Sequence, residues 1–305
     1  MPSIRLILNG KSAGRPEVRA AVKQVRSEGH AIEVQVTWEA GDAARFAQEA
    51  VADLIDVVVA GGGDGTVNEV SGGLCQALAA DSSTTSNSHT TALGILPLGT
   101  ANDFAHGCGI PCDDLTAALR LCATGRAKPI DVGVCNGRYF VNVASGGFGA
   151  EVTATTPIKM KNALGGAAYS LMGLVTALKM TPYRGTLITP DDRIEGEMIL
   201  MAVSNSRQAG GGYVVGPQAV LDDGLLDVLI VPNVAVDALG QVLHDLLNLG
   251  KQPGERVYYR QLPSLEITSD RPFYINLDGE PLLDTHFRFS VLKQRLPVIL
   301  PSETK

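Results

Sequence analysis

Apolar positions run along the chain in two rhythms, and the change between them falls near Asp131. Before it, short β-branched runs alternate with stretches of helical periodicity, the pattern of a parallel sheet flanked by helices. The runs predict strands over residues 4–8, 31–36, 56–60 and 93–96. The periodic stretches predict helices over 17–28, 42–51 and 66–78, the second opening at Gly41-Asp42. The Ser/Thr/Asn-rich segment 81–91 has no apolar period and reads as a solvated loop, an insertion without function. After Asp131, closely spaced apolar runs separated by Gly, Asn and Asp predict antiparallel strands over 138–143, 197–203, 226–231, 265–268 and 273–277. Two helical stretches interrupt them, 166–180 and 236–249, and the leucine stripe of the latter reads as a core-facing side. The expected architecture is an α/β N-terminal domain, a parallel sheet with flanking helices over 1–135, rejoined by the tail 293–305. A mainly antiparallel β C-terminal domain covers 136–292. No repeat of fixed period and no proline-rich linker is present, so the two domains should be joined tightly.

Composition narrows the class of protein. The 305 residues exceed the size at which one core usually stops growing, and 45% hydrophobic with 19% charged residues is an ordinary globular balance. A formal net charge of -7 gives no global electrostatic reason to expect nucleic acid as a partner, and any basic patch must be local, so none is expected. The five cysteines contain no C-x-x-C pair and the five histidines are scattered, so neither a zinc site nor a disulfide framework is expected. Residues 1–10 enter a short apolar run without a cleavage-like site, which reads as a strand rather than a signal peptide. With no long uninterrupted apolar run, no transmembrane helix is expected either, and the expected location is the cytoplasm.

The segment most informative about chemistry is Gly61-Gly62-Gly63-Asp64-Gly65-Thr66-Val67-Asn68-Glu69, where an apolar strand runs through four glycines into a helix. Glycines permit positive φ and close approach of backbone to a ligand, and a helix N-terminus offers unpaired N–H groups to phosphate. Thr66 and Glu69 have the spacing of a capping box. Asp64 beside a bound phosphate would repel it unless a cation lies between, which points to Mg²⁺ carried in with a nucleotide. The dinucleotide fingerprint is absent, because Asn68 stands where its third glycine belongs. The Asn9-Gly10-Lys11-Ser12 stretch lacks the first glycine of a P-loop, having Arg5 there. A tight strand-to-helix turn without ligand is the plain alternative.

A second polar loop, Leu96-Pro97-Leu98-Gly99-Thr100-Ala101-Asn102-Asp103, also follows an apolar strand. Loops at the carboxyl ends of parallel strands converge on one crevice, so the two loops should make one site. Thr100 and Asn102 can hydrogen-bond phosphate or ribose oxygens; otherwise they cap the next helix.

Together, GGGDGTVNEV and LPLGTANDFA resemble the catalytic domain of the diacylglycerol kinase family. Leu221-Asp222-Asp223-Gly224-Leu225-Leu226-Asp227 and Asn276-Leu277-Asp278-Gly279-Glu280 look like that family's later motifs in order and spacing. The stretches Leu8-Asn9-Gly10-Lys11-Ser12, Val36-Thr37-Trp38-Glu39, Gly41-Asp42-Ala43-Ala44-Arg45 and Arg207-Gln208-Ala209-Gly210-Gly211-Gly212 are similar to the bacterial YegS-type lipid kinases. The resemblance covers nearly the whole chain. It implies ATP bound by Thr37, by Gly63, Asp64, Gly65, Thr66, Val67, Asn68 and Glu69, and by Thr100. It implies Mg²⁺, or Ca²⁺ in its place, on the Asp223 carboxylate and the backbone carbonyls of Val220 and Leu225, Val220 standing where the family has a bulkier leucine. It implies Glu280 as the catalytic base, with Asp64 beside the transferred phosphate. Alone, each of the later motifs would be an Asp-Gly turn.

The implied activity is ATP-dependent phosphorylation of a hydroxyl on a phosphatidylglycerol- or diacylglycerol-like lipid, by a protein docked peripherally on the inner face of the membrane. The apolar segments Ile110-Pro111 and 163–180 are candidate lipid-facing surfaces. NAD-kinase-like enzymes also use a GGD loop, so a soluble acceptor is the nearest rival. A nucleotide-binding regulator without turnover would need neither Glu280 nor Asp223. The lipid's identity and the oligomeric state are not legible in the sequence.

Overall fold

The computed structural model describes residues 1–81, 89–147, 182–252 and 254–302. They form two units, one of Met1–Val132, Arg138–Val141 and Leu292–Lys305, the other of Gly133–Gly137 and Asn142–Val291.

In the first unit β1 (Ile4–Leu8), β2 (Ile32–Val36), β3 (Val57–Gly62) and β4 (Ala92–Pro97) pair in parallel in the order β2-β1-β3-β4. Four helices connect or flank them: α1 (Pro16–Ser27), α2 (Asp42–Ala52), α3 (Asp64–Asp81) and, beyond the short α4 (Asp103–Gly107), α5 (Leu115–Thr124). α1 packs with α5 and α2 with α3, as right-handed crossovers on a doubly wound sheet require. Strands β1 and β3 are buried throughout, and α3 turns Val67, Val70, Leu74 and Cys75 into the core at helical spacing. Register brings the strand ends level: Leu8 lies beside both Val36 and Gly61, and Gly62 beside Pro97. The loops after all four strands therefore leave one edge of the sheet. The chain leaves and returns to this unit through β5 (Arg126–Cys135), β6 (Arg138–Phe140) and the end of β15 (Glu280–Leu300), whose Val298 pairs in parallel with Leu93.

The second unit is antiparallel. It contains β7 (Val143–Gly147), β8 (Tyr183–Ile188), β9 (Arg193–Ser204), the short pair β10 (Gln208–Ala209) and β11 (Tyr213–Val214), β12 (Leu226–Pro232), β13 (Tyr258–Leu262), β14 (Ser264–Leu277) and the first part of β15. β7 and β8 both lie between β9 and β14, at different ends of those long strands. Beyond them β12 pairs β9 and β13, while β15 pairs β14. One core cluster joins Val143, Ile199, Ala202, Leu229, Val231, Val242 and Val257. Phe273 centres another, its ring 4.8 Å from both Tyr183 and Phe287.

Several expected boundaries move. The expected strand over 138–143 is two strands, β6 and β7, broken at Val141-Asn142, and the expected pair 265–268 and 273–277 is the single bulged strand β14. The expected helix 236–249 is a 3-10 turn, Val236–Ala238, followed by α6 (Leu239–Leu247). Val242 of α6 is buried in the core cluster with Leu239 and Leu246 against it, while Leu247 is exposed. Ile110 is also buried, so it is core rather than the lipid-facing residue expected. The expected helix 166–180 and the segment 163–180 lie outside the described residues. Among the described residues no helix is long and apolar enough to cross a membrane.

Candidate active site

Helix α3 starts at Asp64, separated from the Gly61-Gly62 end of β3 by Gly63 alone. None of Gly61, Gly62, Gly63 or Gly65 has positive φ, so the first three serve by leaving space rather than by handedness. A Cβ on Gly62 would lie 2.2 Å from the Thr66 Oγ1, and one on Gly99 would lie 2.5 Å from the Gly63 Cα. The two glycine loops thus touch backbone to backbone, joined also by the Leu98 N–H donating to the Gly62 carbonyl at 2.8 Å. At Gly65, which is exposed, a Cβ would meet nothing.

The expected capping box is not formed. Because the helix begins two residues earlier, Thr66 lies within the first turn, its N–H donating to the Gly63 carbonyl at 2.9 Å. Its hydroxyl accepts from Asn9 Nδ2 at 3.4 Å, and the Glu69 carboxylate accepts the Gly41 N–H at 2.6 Å. Both side chains tie neighbouring loops to α3. Thr37 closes the set: its N–H donates to the Leu8 carbonyl at 2.9 Å and its hydroxyl accepts the Gly10 N–H at 3.2 Å. Thr37, Gly63–Glu69 and Thr100 therefore belong to one connected group of loops in the first unit. Val67 and Asn68 are buried, Thr100 is exposed.

Asp64 accepts the Phe104 N–H at 3.1 Å, which binds the second loop to the first. Burial raises its pKa above the ordinary carboxylate value, and the Asp103 charge adds to this against the bond from Phe104. A group so placed gains from a cation beside it. Asn102 neither caps α4 with its side chain nor is open to a ligand as expected: its Oδ1 accepts the Gly99 N–H at 2.9 Å and its Nδ2 donates to the Gly99 carbonyl at 3.0 Å. Its left-handed φ of 49° makes this closed ring possible.

The remaining expected residues lie in the second unit. Asp223 is exposed, and its Oδ1 accepts the Leu225 N–H at 2.9 Å around Gly224, whose φ is 78°. Among the described residues no group of three or more His, Cys, Asp and Glu side chains converges as a metal cluster. A cation here would rest on the Asp223 carboxylate with the carbonyls of Val220 and Leu225, a sparse hard-oxygen set that suits Mg²⁺ with retained waters. The loop is supported by a network of residues distant in sequence, for which no local motif is a signal. The Tyr259 hydroxyl accepts the Gln218 N–H at 3.1 Å and donates to the buried Asp227 carboxylate. Gln261 Nε2 reaches Asp227 at 3.2 Å and the Gln218 carbonyl at 3.1 Å. Burial raises the Asp227 pKa, opposed by these bonds.

Glu280 is the exposed first residue of β15, after a two-residue Asp278-Gly279 turn with φ of 50° and 105°. Positive φ at both positions is the twist-compatible hairpin turn that Asp-Gly favours. The Asp278 carboxylate is buried and accepts the N–H groups of Asn142 at 3.0 Å and Val143 at 2.6 Å, so the hairpin that presents Glu280 is pinned to β7.

Residues 3–135 match the family model described as the diacylglycerol kinase catalytic domain, and residues 142–300 match the YegS C-terminal NAD kinase beta sandwich-like domain. A Chromohalobacter salexigens protein named "Probable lipid kinase YegS-like" is 46% identical over 297 residues, spanning 97% of this chain and 92% of its own. A Yersinia pestis protein of the same name is 43% identical over 302 residues, spanning 99% and 98%. Among solved structures, a diacylglycerol kinase from Bacillus anthracis str. Sterne is 25% identical with a TM-score of 0.70, covering 98% of this chain and 97% of its own. A further chain from that organism, 23% identical, shares the fold with a TM-score of 0.78 over 100% of this chain and 98% of its own.

Proposed function

We propose that this chain, which belongs to the YegS-like branch of the diacylglycerol kinase catalytic-domain family, uses ATP to phosphorylate a hydroxyl of a phosphatidylglycerol- or diacylglycerol-like membrane lipid. Membership makes it a phosphotransferase with an alcohol group as acceptor. The observation that carries the nucleotide half of the reading is the contact of two glycine loops at the N-terminus of the long helix α3. Such a terminus presents N–H groups and positive dipole to phosphate.

In this reading Gly63–Thr66 hold the phosphates, Thr37, Asn68 and Glu69 hold the nucleoside end, and Thr100 closes the second loop over the chain of phosphates. Asp64 stands beside the phosphates with a carboxyl whose burial favours pairing with a cation. Glu280 takes the proton of the lipid hydroxyl as its oxygen bonds to the γ-phosphorus; the bond from that phosphorus to the ADP oxygen breaks, and ADP leaves with the electron pair. Mg²⁺ entering with ATP beside Asp64 would supply positive charge to the phosphates, and a second, mainly structural Mg²⁺ would be held by Asp223 with the Val220 and Leu225 carbonyls. The protein meets its lipid by peripheral docking from the cytoplasmic side in this reading, through local basic or apolar surface.

The test is transfer from γ-labelled ATP to lipids in micelles or vesicles, with NAD as the soluble control. Label should enter lipid and not NAD. Glu280→Gln and Asp64→Asn should each lower kcat by about 10²–10⁴ with the melting temperature kept. Labelling of NAD and of no lipid, or wild-type turnover by Glu280→Gln, would show the reading to be wrong.

A further inference from the structure

We infer that the indole of Trp38 is the surface on which the adenine of ATP stacks. The inference rests on the ATP reading above and adds to it the residue that recognises the base. Trp38 is the chain's single tryptophan and is 95% exposed. Tryptophan is highly buried on average, so an indole left in water forfeits a large burial gain and needs a reason.

The backbone beneath this exposed ring is held on every side. The Trp38 N–H donates to Asp42 Oδ2 at 2.7 Å, the Glu39 N–H donates to the same oxygen at 3.1 Å, and Arg45 holds the other oxygen at 2.7 Å. Just before it, Thr37 is bonded to Leu8 and Gly10; just after it, Gly41 donates to Glu69. A ring on so fixed a pedestal loses little further freedom on receiving a flat partner, which is the condition for an aromatic platform.

Its place selects the base rather than another part of the ligand. The phosphates belong to the N-terminal turn of α3, at Gly63–Thr66. Glu69 lies one helical turn further in and is bonded to Gly41. That bond brings the 37–41 loop, whose one aromatic residue is Trp38, beside the helix that receives the phosphates, within reach of the nucleoside end as proposed above. A membrane anchor is the other common use of an exposed indole, but the charged residue next to it in the chain is Glu39, where an anionic surface would favour Lys or Arg.

Because Trp38 is the only tryptophan, its fluorescence reports this site alone. ATP should quench the emission, whereas inorganic tripolyphosphate, which has no base, should bind with little change. By calorimetry, Trp38→Ala should weaken ATP about tenfold or more, leave tripolyphosphate binding unaltered, and be largely rescued in Trp38→Phe. Equal ATP affinity in wild type and Trp38→Ala would overturn the inference while leaving the ATP reading intact. Loss of vesicle binding in Trp38→Ala with ATP affinity unchanged would overturn it in favour of a membrane anchor. Failure of the wild type to bind ATP at all would remove the underlying reading and the inference with it.

Discussion

The Asp42 carboxylate accepts N–H groups from Trp38 and Glu39 and the guanidinium of Arg45, and these bonds hold its pKa at about 2. That lies below the value of roughly 3.9 expected for an unfolded chain. Its contribution to stability is therefore fully present above about pH 4 and is lost as pH falls toward 2. Asp42→Asn should lower the melting temperature at pH 7, and the gap to wild type should shrink as pH drops through that window. A gap that stayed constant from pH 7 to 2.5 would mean the ionised carboxylate is not what holds the loop. Asp64 shows the opposite environment, with burial raising its pKa. Residue chemistry of this kind was only partly legible. That Asp64 beside a phosphate loop calls for a cation follows from its charge alone; that Thr66 and Glu69 hold neighbouring loops instead of capping α3 depends on Asn9 and Gly41, which are distant in sequence.

At the scale of elements, the close approach of α2 and α3 depends on one glycine. A Cβ on Gly73 would lie 2.4 Å from the Ala44 carbonyl oxygen, backbone that cannot swing aside, whereas at Gly72 it would meet nothing within 4 Å. Gly73→Ala should therefore be destabilising, because overpacking costs about 1–3 kcal/mol and outweighs a helix-propensity gain of about 1 kcal/mol. Gly72→Ala takes the gain without the clash and should raise the melting temperature. Thermal denaturation of the pair checks this, and equal shifts in both would show that the helices can move apart. The elements of the first unit were legible because β1, β3 and β4 are short buried apolar runs, β2 alternates apolar with polar residues, and α1 and α2 carry a clear apolar period. Strand β15 was not, since its residues 284–295 are mostly polar and partly exposed and bury Phe287 and Phe289 only in alternation. β14 was read as two strands because the register shift between Thr268 and Phe273 interrupts its pattern.

At the scale of the molecule, the chain passes between its two units along β5 and β15. A bound cation at Asp223 would be linked to the stability of the second unit, since a ligand of the folded state stabilises by about 2.7 kcal/mol at a hundredfold excess over its Kd. Chelation should lower the wild-type melting temperature and leave Asp223→Ala nearly unmoved, and the wild-type shift should grow with the Mg²⁺ concentration removed. Equal sensitivity in both proteins would place any such cation elsewhere.

What the sequence by itself determined is whatever depends on neighbours along the chain. Buried strand periods, helix periods, and the glycine turns at Gly61–Gly65 and Asp278-Gly279 are local preferences of backbone and side chain, and they suffice to mark the α/β and antiparallel halves and the loops that carry the chemistry. What only the tertiary structure decided is whatever depends on groups brought together from afar. The Gly63–Gly99 contact, the Asp64–Phe104 bond, the pinning of the Asp278 hairpin to Asn142 and Val143, and the Tyr259–Asp227 support under the Asp223 loop join residues between 32 and 136 positions apart. No local pattern records such pairs, because a hydrogen bond or a steric limit exists only once folding has placed both partners.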